Sequence, residues 1–189
     1  MAKFEDALPF VFKHEGRYSN DDRDPGKETN YGISLRFLMQ TGDLDKDGWP
    51  DGDVNHDGSV NADDIKLMTK DDAAKLYRLY FWDKNGYEKI GDQMVATKIF
   101  DLAVNMGSFA ANKIAQRAVR AAVGLILPDD GIMGLKTLTG INMCKPDKLM
   151  VALKAEAAGY YRMISYKGAK DFLTGWLSRA YSDVIIVTE

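Results

Sequence analysis

Apolar side chains recur along this chain at helical spacing, and strand-like alternation is scarce. Phe4, Leu8, Val11 and Phe12 form one stripe near the N-terminus, with the spacing of an amphipathic helix. Pro9 interrupts it. Proline is tolerated in the first turn of a helix, so the regular helix is expected to begin near Ala7 or Leu8. Ser34 is a good N-cap for Leu35, Phe37 and Leu38, and Gly42 closes that short helix. Thr69-Lys-Asp-Asp is a capping-box variant. It opens a helix through about Phe81, with Ala73, Leu76, Tyr77, Tyr80 and Phe81 inside and Trp82 at its end. Core packing is the expected fate of Tyr80, Phe81 and Trp82. From Met94 the pattern stays helical: Val95, Ile99, Leu102, Ala103 and Met106 up to Gly107, then 110–123 closed by Gly124, then 135–141, 149–166 and 172–181. The prediction is an all-α protein.

Two stretches break the periodicity. The first is residues 14–34. The N-terminal helix delivers one carboxylate, Glu15, at its end, and Gly16 follows, where a left-handed residue can stop a helix. A polar, Asp-rich loop comes next, broken by the turn residues Asp24-Pro25-Gly26. Order resumes at Thr29-Asn30-Tyr31-Gly32. A carboxylate at a helix end, facing a loop with a second carboxylate, is a plausible glycosidase layout.

The second stretch is residues 43–64. Asp53-Val-Asn55-His-Asp57-Gly58-Ser59-Val60-Asn61-Ala-Asp63-Asp64 fits the calcium loop of EF-hand proteins. Asp53, Asn55 and Asp57 offer oxygens at alternate positions, Gly58 permits the turn, and Ser59 can give its carbonyl. Asn61 sits at the water-mediated position, Val60 anchors the loop, and Asp64 closes it in place of the usual Glu. The expected ligands are therefore Asp53, Asn55, Asp57, Ser59 and Asp64 around a structural Ca²⁺, with no cofactor for catalysis. Upstream, Asp43, Asp45, Asp47 and Gly48 begin the same way, but position twelve is Val54. That segment is either a partial second site or a polar loop.

With 189 residues, 46% apolar and 28% charged, the chain can bury a core as one domain or two small ones. A net charge of -3 argues against nucleic acid as the main partner. A single cysteine, Cys144, excludes an intrachain disulfide and reads as a small buried residue. No apolar run reaches the length of a membrane span, and the acidic N-terminus does not read as a signal peptide. The chain is expected to be made in the cytoplasm as a monomer.

The order Glu15, Asp24, Thr29 is similar to the Glu, Asp, Thr order of phage-type lysozymes, with a slightly shorter second gap. The wider string Glu-Gly-x-Tyr...Asp-Pro-Gly-x-Glu-Thr-Asn-Tyr-Gly-Ile resembles glycoside hydrolase family 108, the bacterial and phage N-acetylmuramidases, with Arg17 where that family usually has a second Gly. Phe100-Asp101-Leu-Ala-Val-Asn105-Met-Gly107 and Asp130-Gly131-Ile-Met-Gly134-Leu-Lys-Thr137-Leu look like that family's C-terminal peptidoglycan-binding part, and Phe172-Leu-Thr-Gly175-Trp176-Leu-Ser-Arg179 looks like its closing segment. The two glycines and Thr137 also make a tight turn by local physics alone.

The resemblance implies a lysozyme-like fold: a catalytic part at 1–93 carrying the calcium loop 43–64, a helical peptidoglycan-binding part at 94–182, and a tail at 183–189. It also implies a hydrolase of bacterial peptidoglycan, most naturally a phage endolysin. Such an enzyme cleaves the β-1,4 bond between N-acetylmuramic acid and N-acetylglucosamine in the periplasm or wall, once another factor has permeabilised the membrane. Glu15 would be the general acid, a role favoured by partly apolar walls such as Phe12 and Tyr31. Asp24 would activate water or stabilise the oxocarbenium-like state, and Thr29 would position water. Tyr18, Asn30 and Tyr31 would bind substrate. Two rivals remain: a lytic transglycosylase using Glu15 alone, and a non-enzymatic, calcium-dependent wall-binding protein.

Overall fold

A computed structural model of the chain describes residues 1–15, 28–166 and 170–186. Helices dominate it: α1 (Phe4–His14), α2 (Leu35–Leu38), α3 (Ala62–Leu67), α4 (Lys70–Tyr77), α5 (Gln93–Met106), α6 (Ser108–Val123), α7 (Leu135–Met143), α8 (Pro146–Tyr166) and α9 (Leu173–Tyr181). The sheet among the described residues is one antiparallel hairpin, β1 (Thr29–Asn30) with β2 (Ile33–Ser34). The protein has the all-α, lysozyme-like fold that its periodicity and motifs predict.

Local chemistry accounts for the helix limits. Ser34 caps α2 by accepting the Phe37 N–H. Thr69 and Asp72 close the predicted capping box at α4. Gly107 and Gly124, both at positive φ, end α5 and α6. Several segments differ from the sequence reading: α2 ends at Leu38, short of Gly42, and α8 begins at Pro146, ahead of residue 149. α1 begins at Phe4 and carries Pro9 in its interior. Burial of Phe4, Ala7, Phe10 and Val11 on one face outweighs the missing proline N–H, because tertiary packing supplies most of a helix's stability. After Tyr77 the chain widens into a π-helical segment, Arg78–Asp83, rather than continuing as α-helix.

The described residues of Phe12–Tyr80 form one compact unit, and those of Met1–Val11 with Phe81–Glu189 form another. This geometric division is drawn at different places from the functional boundary near residue 93 expected from sequence. In the larger unit α6 packs on α5, α7 and α8, and α8 packs on α5 and α9. Trp82, Phe4, Tyr87 and Phe100 make an aromatic cluster with ring centroids 5.3–6.1 Å from Trp82, so Trp82 is core. Cys144 is buried, and its thiol lies 3.2 Å from the Gly140 carbonyl it faces. Burial pushes that thiol's pKa up, which suits a structural role.

α9 is held to α5 by buried charge. Arg179 and Asp101 pair at 2.9 Å, both nearly solvent-free. Lys98 donates to the Arg179 carbonyl at 2.6 Å and lies 3.2 Å from the Ser182 hydroxyl. Burial, opposed by the charge of Asp101, brings the Lys98 pKa down to about 8 from 10.5. Between those values the unfolded chain holds this proton and the folded chain does not, so Lys98 makes stability rise with pH across that window. The stability of wild type relative to Lys98→Met, measured by urea unfolding, should therefore grow as pH goes from about 8 to about 10.5. A constant difference would show that the ammonium titrates normally.

Candidate active site

Three elements of the smaller unit converge on Glu15. The residue follows directly on the last turn of α1 and is half-buried. Opposite it stands the β1–β2 hairpin, in which Thr29 pairs with Ser34 and Asn30 with Ile33. The loop between the strands is therefore two residues long, Tyr31 and Gly32, at φ +48° and +78°. Left-handed values at both loop positions define the type I′ turn, whose twist matches that of paired strands. A bond from the Leu35 N–H to the Glu28 carbonyl, 2.9 Å, closes the open end.

The turn places backbone, with no side chain, against the acid. A Cβ at position 32 would lie 2.2 Å from Glu15 Oε2 and 2.5 Å from the Tyr77 hydroxyl oxygen, so both groups occupy the space a side chain would need. Tyr77 is itself buried and donates its hydroxyl to the Tyr31 carbonyl at 2.7 Å. Phe12 completes the wall, with its ring 6.3 Å from that of Tyr31 and 5.9 Å from that of Tyr77, edge-on to both. The Lys70 ammonium sits 4.9 Å over the Phe12 ring. The result is a carboxyl group and the Tyr77 hydroxyl meeting at Gly32, next to a cluster of the Phe12, Tyr31 and Tyr77 rings, a setting suited to acid catalysis.

The expected site residues fare differently. Glu15 lies against Gly32, the residue that follows Tyr31 in the turn. Thr29 is half-buried on β1, one residue from the turn's flank. Asn30 is buried, and its amide nitrogen donates to the carbonyls of Ile65 at 2.9 Å and Met68 at 3.3 Å, which ties the hairpin to the end of α3. Tyr18 and Asp24 lie outside the described residues. Two participants escaped the sequence reading. Tyr77 reads as core from periodicity, yet its hydroxyl reaches the acid's pocket. Gly32 carried a signal in its β-branched and polar flanks, Thr29, Ile33 and Ser34, which suit a short hairpin.

The 53–64 loop is held by its own carboxylates and backbone N–H groups. Asp53 accepts the Asp57 N–H at 3.1 Å and the Gly58 N–H at 2.8 Å through its two oxygens. Asn55 accepts the Asp57 N–H, and Asp57 accepts the Ser59 N–H, both at 2.9 Å. Asp64 accepts the N–H groups of Asn55 and Asn61, the latter completing the capping box of α3. Asp53 and Asp64 are almost fully buried, whereas Asn55, Asp57 and Ser59 are exposed. Asn61, read as the water-mediated position, caps α3 with its side chain. Trp49 stacks on His56 at 5.4 Å, joining this loop to the upstream one.

In the larger unit, the Asp130–Thr137 motif is occupied internally. Buried Gln116 contacts Asp130, Ile132 and Thr137 and accepts the Gly131 N–H, while Asn112 donates to the Gly131 carbonyl. Its polar groups hold a loop in shape, as the local reading of the two glycines and Thr137 expected.

The close approach at Gly32 makes a stability prediction. Gly32→Ala should cost at least about 1–3 kcal/mol, from left-handed strain together with overpacking. Gly42→Ala, where an added Cβ meets nothing within 4 Å, should stay within about 0.5 kcal/mol. Urea unfolding of both variants checks this, and equal losses would contradict the geometry.

Comparison with known proteins bears on this arrangement. No curated protein matches the chain. Twelve solved chains do match, among them one titled "Structure of Brucella abortus SagA". It shares 26% identity with this chain, has a TM-score of 0.66, and the alignment covers 94% of this chain and 92% of that one. The family Glycosyl hydrolase 108 matches residues 8–107, which include Glu15, the hairpin, the acidic loops and Tyr77. That match spans more than half of the sequence, and the chain belongs to glycosyl hydrolase family 108 and is a glycoside hydrolase.

Proposed function

We propose that this glycoside hydrolase is a peptidoglycan-degrading endolysin of bacteriophage type, cleaving the β-1,4 bond between N-acetylmuramic acid and N-acetylglucosamine. The observation that carries the reading is the position of Glu15, in space that a side chain at Gly32 would fill and beside Phe12, Tyr31 and Tyr77. Glu15 protonates the glycosidic oxygen as the bond to the anomeric carbon breaks. Asp24 then either directs water or steadies the oxocarbenium-like state. The distance between the two carboxyl groups decides between inversion and retention. Thr29 positions water, and Tyr31 and Tyr18 contact the sugar. Asn30 acts chiefly by holding the hairpin, since its amide nitrogen is engaged with α3. Residues 94–182 serve as the wall-binding part. Exposed Phe109, Ile132 and Leu135 beside the Asp130 loop give that part an apolar face. The enzyme works as a monomer and reaches the wall through a permeabilised membrane.

Calcium belongs to the same reading as a structural ion held by Asp53, Asn55, Asp57, the Ser59 carbonyl and Asp64. Buried carboxylates need compensating charge, and Asp53 and Asp64 are the buried pair in this loop. A bound Ca²⁺ supplies that charge and takes no part in bond cleavage. Because Asp64 also caps α3 and α3 holds Asn30, order in the loop supports the catalytic hairpin.

Purified peptidoglycan digested with wild type and with Glu15→Gln, followed by mass spectrometry of the fragments, tests the enzyme, the bond and the acid together. The variant should fold and lose at least about a hundredfold in rate. Full activity in folded Glu15→Gln would remove the assignment, and anhydro-muropeptide products from wild type would make the protein a lytic transglycosylase. For the ion, melting temperature should be higher in calcium than in chelator, because binding to the folded state alone stabilises it. Asp53→Ala with Asp57→Ala should shrink that difference. Identical melting curves in calcium and chelator would exclude the structural ion.

A further inference from the structure

Tyr77 is the last residue of α4, and the π-helical segment Arg78–Asp83 begins at the next position. Such widenings are rare and gather at functional sites. The side chain is 1% exposed, with its ring edge-on to that of Phe12 at 5.9 Å. A phenylalanine would fill most of the same space. What the phenol adds is one oxygen, and that oxygen stands between two partners of different kinds.

The first partner is the Tyr31 carbonyl, 2.7 Å away. A carbonyl can only accept, so the phenol proton goes to it. The second is Glu15. A Cβ at Gly32 would lie 2.5 Å from the Tyr77 hydroxyl oxygen and 2.2 Å from Glu15 Oε2. The two oxygens can be no farther apart than those distances laid end to end, which brings the acid's carboxyl group to the remaining side of the phenol.

The proton count then favours one form of the acid. With Glu15 protonated, two protons serve a chain of three oxygens: Glu15 donates to Tyr77, and Tyr77 donates to the Tyr31 carbonyl. With Glu15 ionised, one phenol proton faces two acceptors and can serve only one of them. Whichever way the hydroxyl turns, the protonated carboxyl group keeps one more hydrogen bond in this chain than the carboxylate does, and that difference carries free energy. The protonated form is the one a general acid needs.

We propose that Tyr77 is a positioning residue for the acid: its hydroxyl pairs with the Glu15 carboxyl group and holds the proton at Oε2 until the glycosidic oxygen takes it. The role rests on Glu15 being the general acid. As the bond to the anomeric carbon breaks, its electron pair passes to the glycosidic oxygen, which takes the proton from Oε2, and the phenol keeps its own. The other titratable groups on the converging elements are Lys13 and His14 on α1, Glu28 and Tyr31 at the hairpin, and Lys70 on α4. All of them stay in place when the hydroxyl alone is removed.

Tyr77→Phe tests the pair in two independent ways, with circular dichroism to confirm folding. In hydrolysis of purified peptidoglycan, kcat should fall about tenfold with KM unchanged, the worth of one hydrogen bond. The alkaline limb of the rate profile should move to lower pH. In infrared spectra of the free protein at acid pH, the band of the protonated Glu15 carboxyl group, assigned as the one that Glu15→Gln removes, should move to higher wavenumber. If the variant does not fold, 3-fluorotyrosine at position 77, which keeps the hydroxyl and weakens it as an acceptor, should move limb and band the same way by less. A loss of rate with limb and band unmoved overturns the pair and leaves Tyr77 a support of the turn. Unchanged rate, limb and band overturn it as well. A moved band in a protein whose wild type does not cleave peptidoglycan removes the enzymatic reading and upholds the pair.

Discussion

Position 32 has room for a hydrogen atom and nothing larger. The left-handed φ of Gly32, the Glu15 carboxylate and the Tyr77 hydroxyl all meet there, and each limits the others. A two-residue turn requires both loop residues at positive φ. The register Asn30 to Ile33 fixes which two residues those are. With the turn set, the Tyr31 carbonyl faces Tyr77, and α4 is anchored to the hairpin through that phenol. The Glu15 carboxylate is thus positioned by backbone, and backbone supported on two sides is stiffer than a side-chain contact would be.

Electrostatics sets the other constraint on the smaller unit. Between Gly42 and Asp64 the chain gathers carboxylates at a density that folding alone disfavours. It manages them first with backbone N–H groups, which satisfy Asp43, Asp53 and Asp64 within their own turns. Lysine comes second, through Lys75 on α4. Since the closing acid of the downstream loop is also the capping-box acid of α3, the charge problem and the helix-start problem share one residue. Asn30 then carries that order to the hairpin.

Much of this was legible in the sequence, for identifiable reasons. Caps such as Ser34, Thr69 and Gly124 act within a few residues, so their chemistry is local and readable. The Glu15 string is dense enough in constrained residue types to identify a family. What was hidden depends on distance along the chain. Pro9 sits inside α1 because of tertiary burial that no local rule counts. Tyr77 looks like any inward helix residue until the hairpin's position is known. The bond from the Leu44 N–H to Asp51 closes the 43–51 loop on itself, a contact that no residue spacing announces.

Tyr31 shows what the arrangement demands of the sequence over evolutionary time. Its φ of +48° belongs to a turn position where glycine or asparagine is at ease and a bulky aromatic is not. A consensus-guided search for hardier variants would be drawn to this residue early, and would gain stability by replacing it. The ring removed, however, is the one that packs edge-on against Phe12 at the wall of the acid. Relief of the backbone strain at this position would therefore cost a packed ring, so thermostabilisation of this enzyme should start far from the turn.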